Sequence, residues 1–203
     1  KRDGVGAVGI GEMGIGNTTT SSAVLAALTG APVEALTGRG GGLTDSAFET
    51  KKRVIQQALD LHRPPQDDPV AVLSMVGGLD LAAMTGAFLG CAREGVAAVV
   101  DGFISVVAAL CAARLCPAAK DMMFLSHASY EAGYRLAADE LGLEPCLLLG
   151  MRLGEGSGCP LMFRVLQGAC AVLRDMATFA EGEIQDDYLA PIRAMDAFTV
   201  ENT

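Results

Sequence analysis

The chain has 203 residues, 51% hydrophobic but only 5% aromatic, with 25 glycines and no tryptophan. A single core usually serves about 100 to 200 residues, so one compact domain of small, closely packed side chains is expected. A formal net charge of -9 and a pI near 4.6 exclude a nucleic-acid surface, which needs clustered Lys and Arg to displace counterions from phosphates.

No run free of charge and glycine reaches the ~20 residues of a membrane span, and no leader pattern is visible, so a cytoplasmic protein is expected. The six cysteines contain no C-x-x-C pair and read as reduced core thiols. With only His62 and His127 available, the spacing offers no metal site, and no resident cofactor is expected.

A strand is expected at 5–10, running into Gly9-Ile10-Gly11-Glu12-Met13-Gly14-Ile15-Gly16. Gly9-x-Gly11-x-x-Gly14 satisfies the dinucleotide fingerprint, with Glu34 at about the ~20-residue distance. Glu12 opposes that reading, because its carboxylate would face an anionic pyrophosphate. A P-loop is excluded, since Gly-Lys-Ser/Thr is absent.

A helix follows at 18–28, capped by Asn17 or Thr18. Gly38-Arg39-Gly40-Gly41-Gly42 precedes a helix at 46–62, capped by Asp45 and supported by Glu49, so its amides suit a phosphate monoester and Lys51 suits its charge. Residues 63–69 read as a surface loop and 79–94 as a helix with Asp80 as its cap.

A strand at 96–100 delivers Asp101, which reads as a ligand or loop-ordering group, and a helix covers 103–115. The strand at 122–125 runs into Ser126 and His127, at the carboxyl edge where α/β sheets bind ligands. After a helix at 131–141, the apolar run 146–149 reads as a buried strand leading to Gly154-Glu155-Gly156-Ser157-Gly158. Glycine on both sides of Glu155 admits positive φ and lets a ligand approach closely. A helix at 160–180 closes the pattern, with Leu161, Val165, Leu166, Ala169 and Leu173 as core positions. The alternation is that of an α/β fold: three layers, a mainly parallel sheet flanked by helices, Rossmann-like.

Taken together, the Gly9–Thr19 loop, Val76-Gly77-Gly78-Leu79-Asp80, Val100-Asp101-Gly102-Phe103-Ile104, Ser126-His127 with Glu131 and Gly133, and Met151–Gly158 resemble the nicotinate-nucleotide:dimethylbenzimidazole phosphoribosyltransferases. The motifs stand in family order and span almost the whole chain. The resemblance implies that Glu155 is the general base, with Glu12 assisting. It implies substrate contacts from Met13, Gly14, Ile15, Gly40, Gly41, Gly42, Lys51, Asp101, Ser126, His127, Leu153 and Gly154. The implied partners are nicotinate mononucleotide and a benzimidazole base, the implied assembly a homodimer.

Thr20-Ser21-Ser22, Cys159-Pro160 and Tyr130 depart locally from the family pattern. Family members also carry a substantial N-terminal region with no counterpart here. Residues 1–182 are therefore expected to be the nucleotide-binding catalytic domain, a fragment of a longer family chain, and 183–203 a C-terminal extension. Two other functions stay open, a dinucleotide-dependent oxidoreductase and a non-catalytic nucleotide-binding protein.

Overall fold

Val, Ala and Ile run through the strands without alternating with polar residues, as a parallel sheet covered on both faces requires. β1 (Ala7–Ile10), β2 (Ala97–Val100) and β3 (Met123–Leu125) are all parallel and adjacent in chain order, with Ala7 opposite Ala97 and Ala98 opposite Met123. This computed structural model describes residues 2–185, 187, 190 and 191. Packing divides the chain into two compact units, 1–164 and 165–203. Most of the expected C-terminal extension lies outside the described residues.

Between β1 and β2 come α1 (Asn17–Thr29), α2 (Val33–Leu36), α3 (Asp45–His62), α4 (Pro69–Val76) and α5 (Leu79–Glu94). α6 (Phe103–Leu115) and a 3-10 turn (Pro117–Met122) join β2 to β3; α7 (Tyr134–Leu141) and α8 (Gly158–Asp175) follow.

The core of the first unit is built around α6, which is buried without interruption from Phe103 to Ala112. A helix apolar all round belongs inside a protein, and Ala108, Ala109 and Ala112 let its neighbours α5 and α7 approach. Phe88 of α5 is completely enclosed there, a burial worth about 1.5–3 kcal/mol. One face of the sheet, through Ile10, Ala98, Val100, Met123 and Leu125, joins this core. The other face meets the first turn of α8. A methyl group on Gly9 would lie 2.6 Å from Cβ of Cys159, and the Cys159 thiol donates to the Val99 carbonyl at 3.6 Å.

The structure corrects several expectations. The strand at 146–149 is reduced to a parallel bridge between Leu147 and His127. Leu148 and Leu149 are 80% and 61% exposed, so no packing extends it. Asn17 is the first residue of α1 rather than its cap, which is Gly16 at φ 81° without a side-chain bond. Thr44, not Asp45, caps α3 by accepting from the Ala47 amide at 3.4 Å; Asp45 pairs with Arg39 instead. Gly78 precedes α5, which leaves the Asp80 carboxylate for another partner.

The loop at 63–69 ends in an unexpected helix, α4, because Asp68 accepts from the amides of Val70 and Ala71 and Pro69 starts the turn. Of the thiols expected in the core, Cys91, Cys111 and Cys159 are buried, whereas Cys116, Cys146 and Cys170 are exposed. The final helix ends at Asp175, and its apolar stripe is not core: Leu173 is 86% exposed.

Candidate active site

Each strand hands a functional segment to the same edge of the sheet: Glu12 follows β1, Asp101 follows β2, and Ser126 and His127 follow β3. The carboxyl edge of a parallel sheet is where open α/β folds form their ligand crevice. Here it holds an open cleft lined by Glu12, Gly14 and Thr18, by Gly40 and Gly41, by Gly102 to Ile104, by His127, Ser129 and Glu131, and by Arg152 to Gly154. An adjoining cleft shares Gly40, Gly41, Ser129, Glu131 and Arg152 and adds Gly42, Phe48 and Tyr130.

The two glycine-framed glutamates, distant in the sequence, arrive at one place. A methyl group on Gly11 would sit 2.6 Å from both N and Cα of Gly156, so the loops touch main chain to main chain. This assigns the fingerprint glycines a different task from the dinucleotide one: the space left by Gly11 is filled by protein, not by a pyrophosphate. Glu155 has φ 56°, between Gly154 at 77° and Gly156 at 73°. A left-handed backbone at a residue with a Cβ costs roughly 1–2 kcal/mol and is held only where its surroundings impose it.

The carboxylates differ in setting. Glu155, expected where a buried strand leaves the sheet, is exposed and does not line the cleft. Glu12 is half-buried in the cleft wall. The Asn17 amide donates to Glu12 Oε2 at 2.6 Å and to Asp80 Oδ2 at 2.9 Å, tying α1 and α5 to the loop after β1. Burial raises the pKa of the Glu12 carboxyl, the Asn17 hydrogen bond lowers it, and the charges of Asp80, Asp101 and Glu155 raise it further. Met13 and Ile15 are 63% and 80% exposed, so of this trio only Gly14 lines the cleft.

Lys51 is buried and its ammonium is engaged. It donates to Thr18 Oγ1 at 2.9 Å and to the Gly38 carbonyl at 2.8 Å. Burial lowers its pKa while Glu131 acts the other way. Lys51 therefore reaches the cleft through Thr18 and the root of the glycine loop rather than lining it. The cation that lines both clefts is Arg152, whose guanidinium lies 5.1 Å from the Tyr130 ring centre. Sequence reasoning missed it, although it stands in the same loop as Glu155.

Asp101 is 1% exposed, and both carboxylate oxygens accept main-chain amides: Gly156 at 3.0 Å and Gly158 at 2.8 Å. Ser126, also buried, donates its hydroxyl proton to the Asp101 carbonyl at 3.1 Å and lies 3.0 Å from His127 Nδ1. With that proton committed, Nδ1–H of a neutral ring donates to Ser126 Oγ, and Nε2 is left as an acceptor. Burial lowers the His127 pKa, with Asp101 opposing, so the neutral form is favoured. Gly158 is obligatory here: a methyl group on it would collide with His127, Ser126 and Asp101. Of the expected contacts, then, Gly14, Gly40, Gly41, His127, Leu153 and Gly154 line the cleft with Glu12. Lys51, Asp101 and Ser126 support it from behind. Among the described residues, no group of three or more His, Cys, Asp or Glu could hold a metal ion.

A parallel-sheet crevice walled by a glycine loop, an arginine and a half-buried glutamate defines an α/β protein with a polar cleft at the carboxyl edge of its sheet. The chain belongs to the family described as "Phosphoribosyltransferase", which it matches over residues 1–184. It is 51% identical over 200 residues to a nicotinate-nucleotide–dimethylbenzimidazole phosphoribosyltransferase of Clostridium perfringens (strain ATCC 13124), covering 98% of this chain and 55% of that protein. A protein of the same name from Desulforamulus reducens is 50% identical over 177 residues, covering 87% and 50%. The crystal structure of CobT from Thermus thermophilus superposes with a TM-score of 0.85 at 38% identity, over 91% of this chain and 55% of that one. The chain thus spans about half the length of the curated relatives it matches.

Proposed function

We propose that this chain carries the catalytic centre of a phosphoribosyltransferase of cobalamin lower-ligand biosynthesis. The reaction moves ribose 5-phosphate from nicotinate mononucleotide to 5,6-dimethylbenzimidazole, giving α-ribazole 5'-phosphate and nicotinate. The observation that carries this reading is the meeting of the Glu12 and Glu155 loops at Gly11 and Gly156, beside a cleft walled by Gly40, Gly41 and Arg152.

The leaving group of nicotinate mononucleotide is a pyridinium, already cationic, so its departure from ribose C1 needs no protonation. The acceptor needs help. One ring nitrogen attacks C1 while the other N–H becomes acidic, and a carboxylate within hydrogen-bond reach takes that proton. Such a base contributes about 10² to 10⁴ in rate. In this reading Glu155 is the base and Glu12 assists from the cleft wall. Gly40, Gly41 and Arg152 receive the phosphate, and His127 Nε2 accepts from a ribose hydroxyl. A homodimer and a cytoplasmic setting belong to the same proposal.

The test is to incubate the protein, as its gene encodes it, with nicotinate mononucleotide and dimethylbenzimidazole, and to follow both products by chromatography. Equal release of nicotinate and α-ribazole phosphate is expected. Binding of nicotinate mononucleotide without product would favour a non-catalytic binding protein, and preference for NAD with hydride transfer an oxidoreductase.

A further inference from the structure

A carboxylate taken out of water costs several kcal/mol unless it is fully hydrogen-bonded. Asp101 is 1% exposed, and an ionisable side chain close to its carboxylate is His127, with Nδ1 3.9 Å from Oδ1, a ring that favours its neutral form. What answers the charge is main chain. Oδ2 accepts from Gly156, Oδ1 accepts from Gly158, and Gly158 is the first residue of α8, so the carboxylate also faces a helix N-terminus. The same residue touches the other loop: its amide donates to the Ile10 carbonyl at 3.3 Å, and its Cβ would be 3.3 Å from a methyl on Gly11.

We propose that Asp101 is a positioning residue that does not touch substrate: its carboxylate fixes the Gly154–Gly158 loop and thereby sets Glu155 against the Glu12 loop. The inference rests on the phosphoribosyl-transfer reading for its kinetic part only. Glu155 lies between one residue, Gly156, that Asp101 holds and another, Gly154, whose carbonyl accepts from Ser157 at 2.9 Å. The left-handed backbone of Glu155 is kept in place by these bonds. Without them the loop is free to relax to more favourable φ values, carrying the glutamate with it. Asparagine cannot replace the carboxylate, because only one of its two terminal atoms is an acceptor and its NH₂ would face an amide N–H.

Two measurements test this. The first uses hydrogen exchange of the unaltered protein by NMR, where the amides of Gly156 and Gly158 are expected to exchange at least 10-fold more slowly than that of Glu155. Equal, fast exchange at all three overturns the proposal, and this reading needs neither a variant nor activity. The second compares Asp101→Asn, Glu155→Gln and the double variant in the assay above. Asp101→Asn is expected to lower kcat by about 10²-fold, since a displacement of about 1 Å can cost that much, while KM for nicotinate mononucleotide changes less than about 3-fold. The double variant should then be no slower than Glu155→Gln alone, because Asp101 acts through that residue. Losses that multiply, or a raised KM with kcat intact, overturn the proposal in favour of a direct substrate contact. If the unaltered protein transfers no ribosyl phosphate, the proposed function fails, and the exchange rates still decide whether Asp101 holds the loop.

Discussion

Gly11 and Gly156 pack main chain against main chain, with no side chain between them to absorb a change in spacing. The distance between the two glutamate loops is therefore set by backbone, which shifts far less readily than a rotamer. Glu12 follows one of these glycines and Glu155 precedes the other, so the relation between the carboxylates depends on this contact.

Gly11→Ala places a methyl group 2.6 Å from two backbone atoms of Gly156, and something must move. Because the contact lies at the sheet edge rather than in the core around α6, the fold should survive while the loops separate. The expected result is a loss of about 10²-fold in kcat, with a circular-dichroism spectrum like the parent's. Parent-like turnover would show that the loop spacing does not govern the chemistry.

Glu155→Gln should lower kcat by about 10² or more while nicotinate mononucleotide still binds, if this residue takes the azole proton. Glu12→Gln should cost less. Initial-rate kinetics on both variants decide the roles, and a larger loss at Glu12 would make the cleft-wall carboxylate the base and Glu155 its partner.

Much of this site was legible because glycine marks main-chain contacts that any reader of the sequence can see. The frames around Glu12 and Glu155 indicated two loops at one place, and the strand read before Glu12 forms, whereas the one expected before Glu155 does not. What could not be read was burial. Lys51 looks like a free cation in a basic run, yet tertiary packing turns it inward to Thr18 and Gly38, and its neighbour Lys52 instead pairs with Glu49. The run 146–149 has strand composition, but exposed Leu148 and Leu149 show that apolar content alone does not supply a packing partner. Arg152 carried no local signal beyond its loop, since its role depends on which segments fold against it.

Lys51→Ala removes the donor that joins the Gly38 carbonyl to Thr18. The bond is part-buried, so leaving the carbonyl unpaired costs on the order of 1 kcal/mol, the low end for a buried group. In a chain of this size each kcal/mol lowers Tm by roughly 2–4 °C, so thermal melting should show a clear drop. KM for nicotinate mononucleotide should rise more than kcat falls, because phosphate binding remote from the reacting bond is largely uniform binding. An unchanged KM would detach the glycine loop from phosphate recognition.

Glu12 also makes stability depend on pH, and the sign follows from its setting. Its carboxyl faces Asp80, Asp101 and Glu155 as charges and Asn17 as a neutral donor, and burial together with the three carboxylates raises its folded pKa. A raised carboxyl pKa means that ionisation costs folding stability: the contribution is fully present below the unfolded value and is lost as pH rises through the folded one. Glu12→Gln, which can still accept from Asn17, should therefore melt at a higher temperature than the parent at neutral pH, and the difference should vanish below about pH 4. Asn17→Ala removes the one group that lowers this pKa, so the carboxyl should titrate at still higher pH in a ¹³C NMR titration. Melting curves that coincide for Glu12→Gln and the parent across the whole range, with a Glu12 resonance unmoved by Asn17→Ala, would show that the cleft wall leaves this carboxylate in an ordinary aqueous setting.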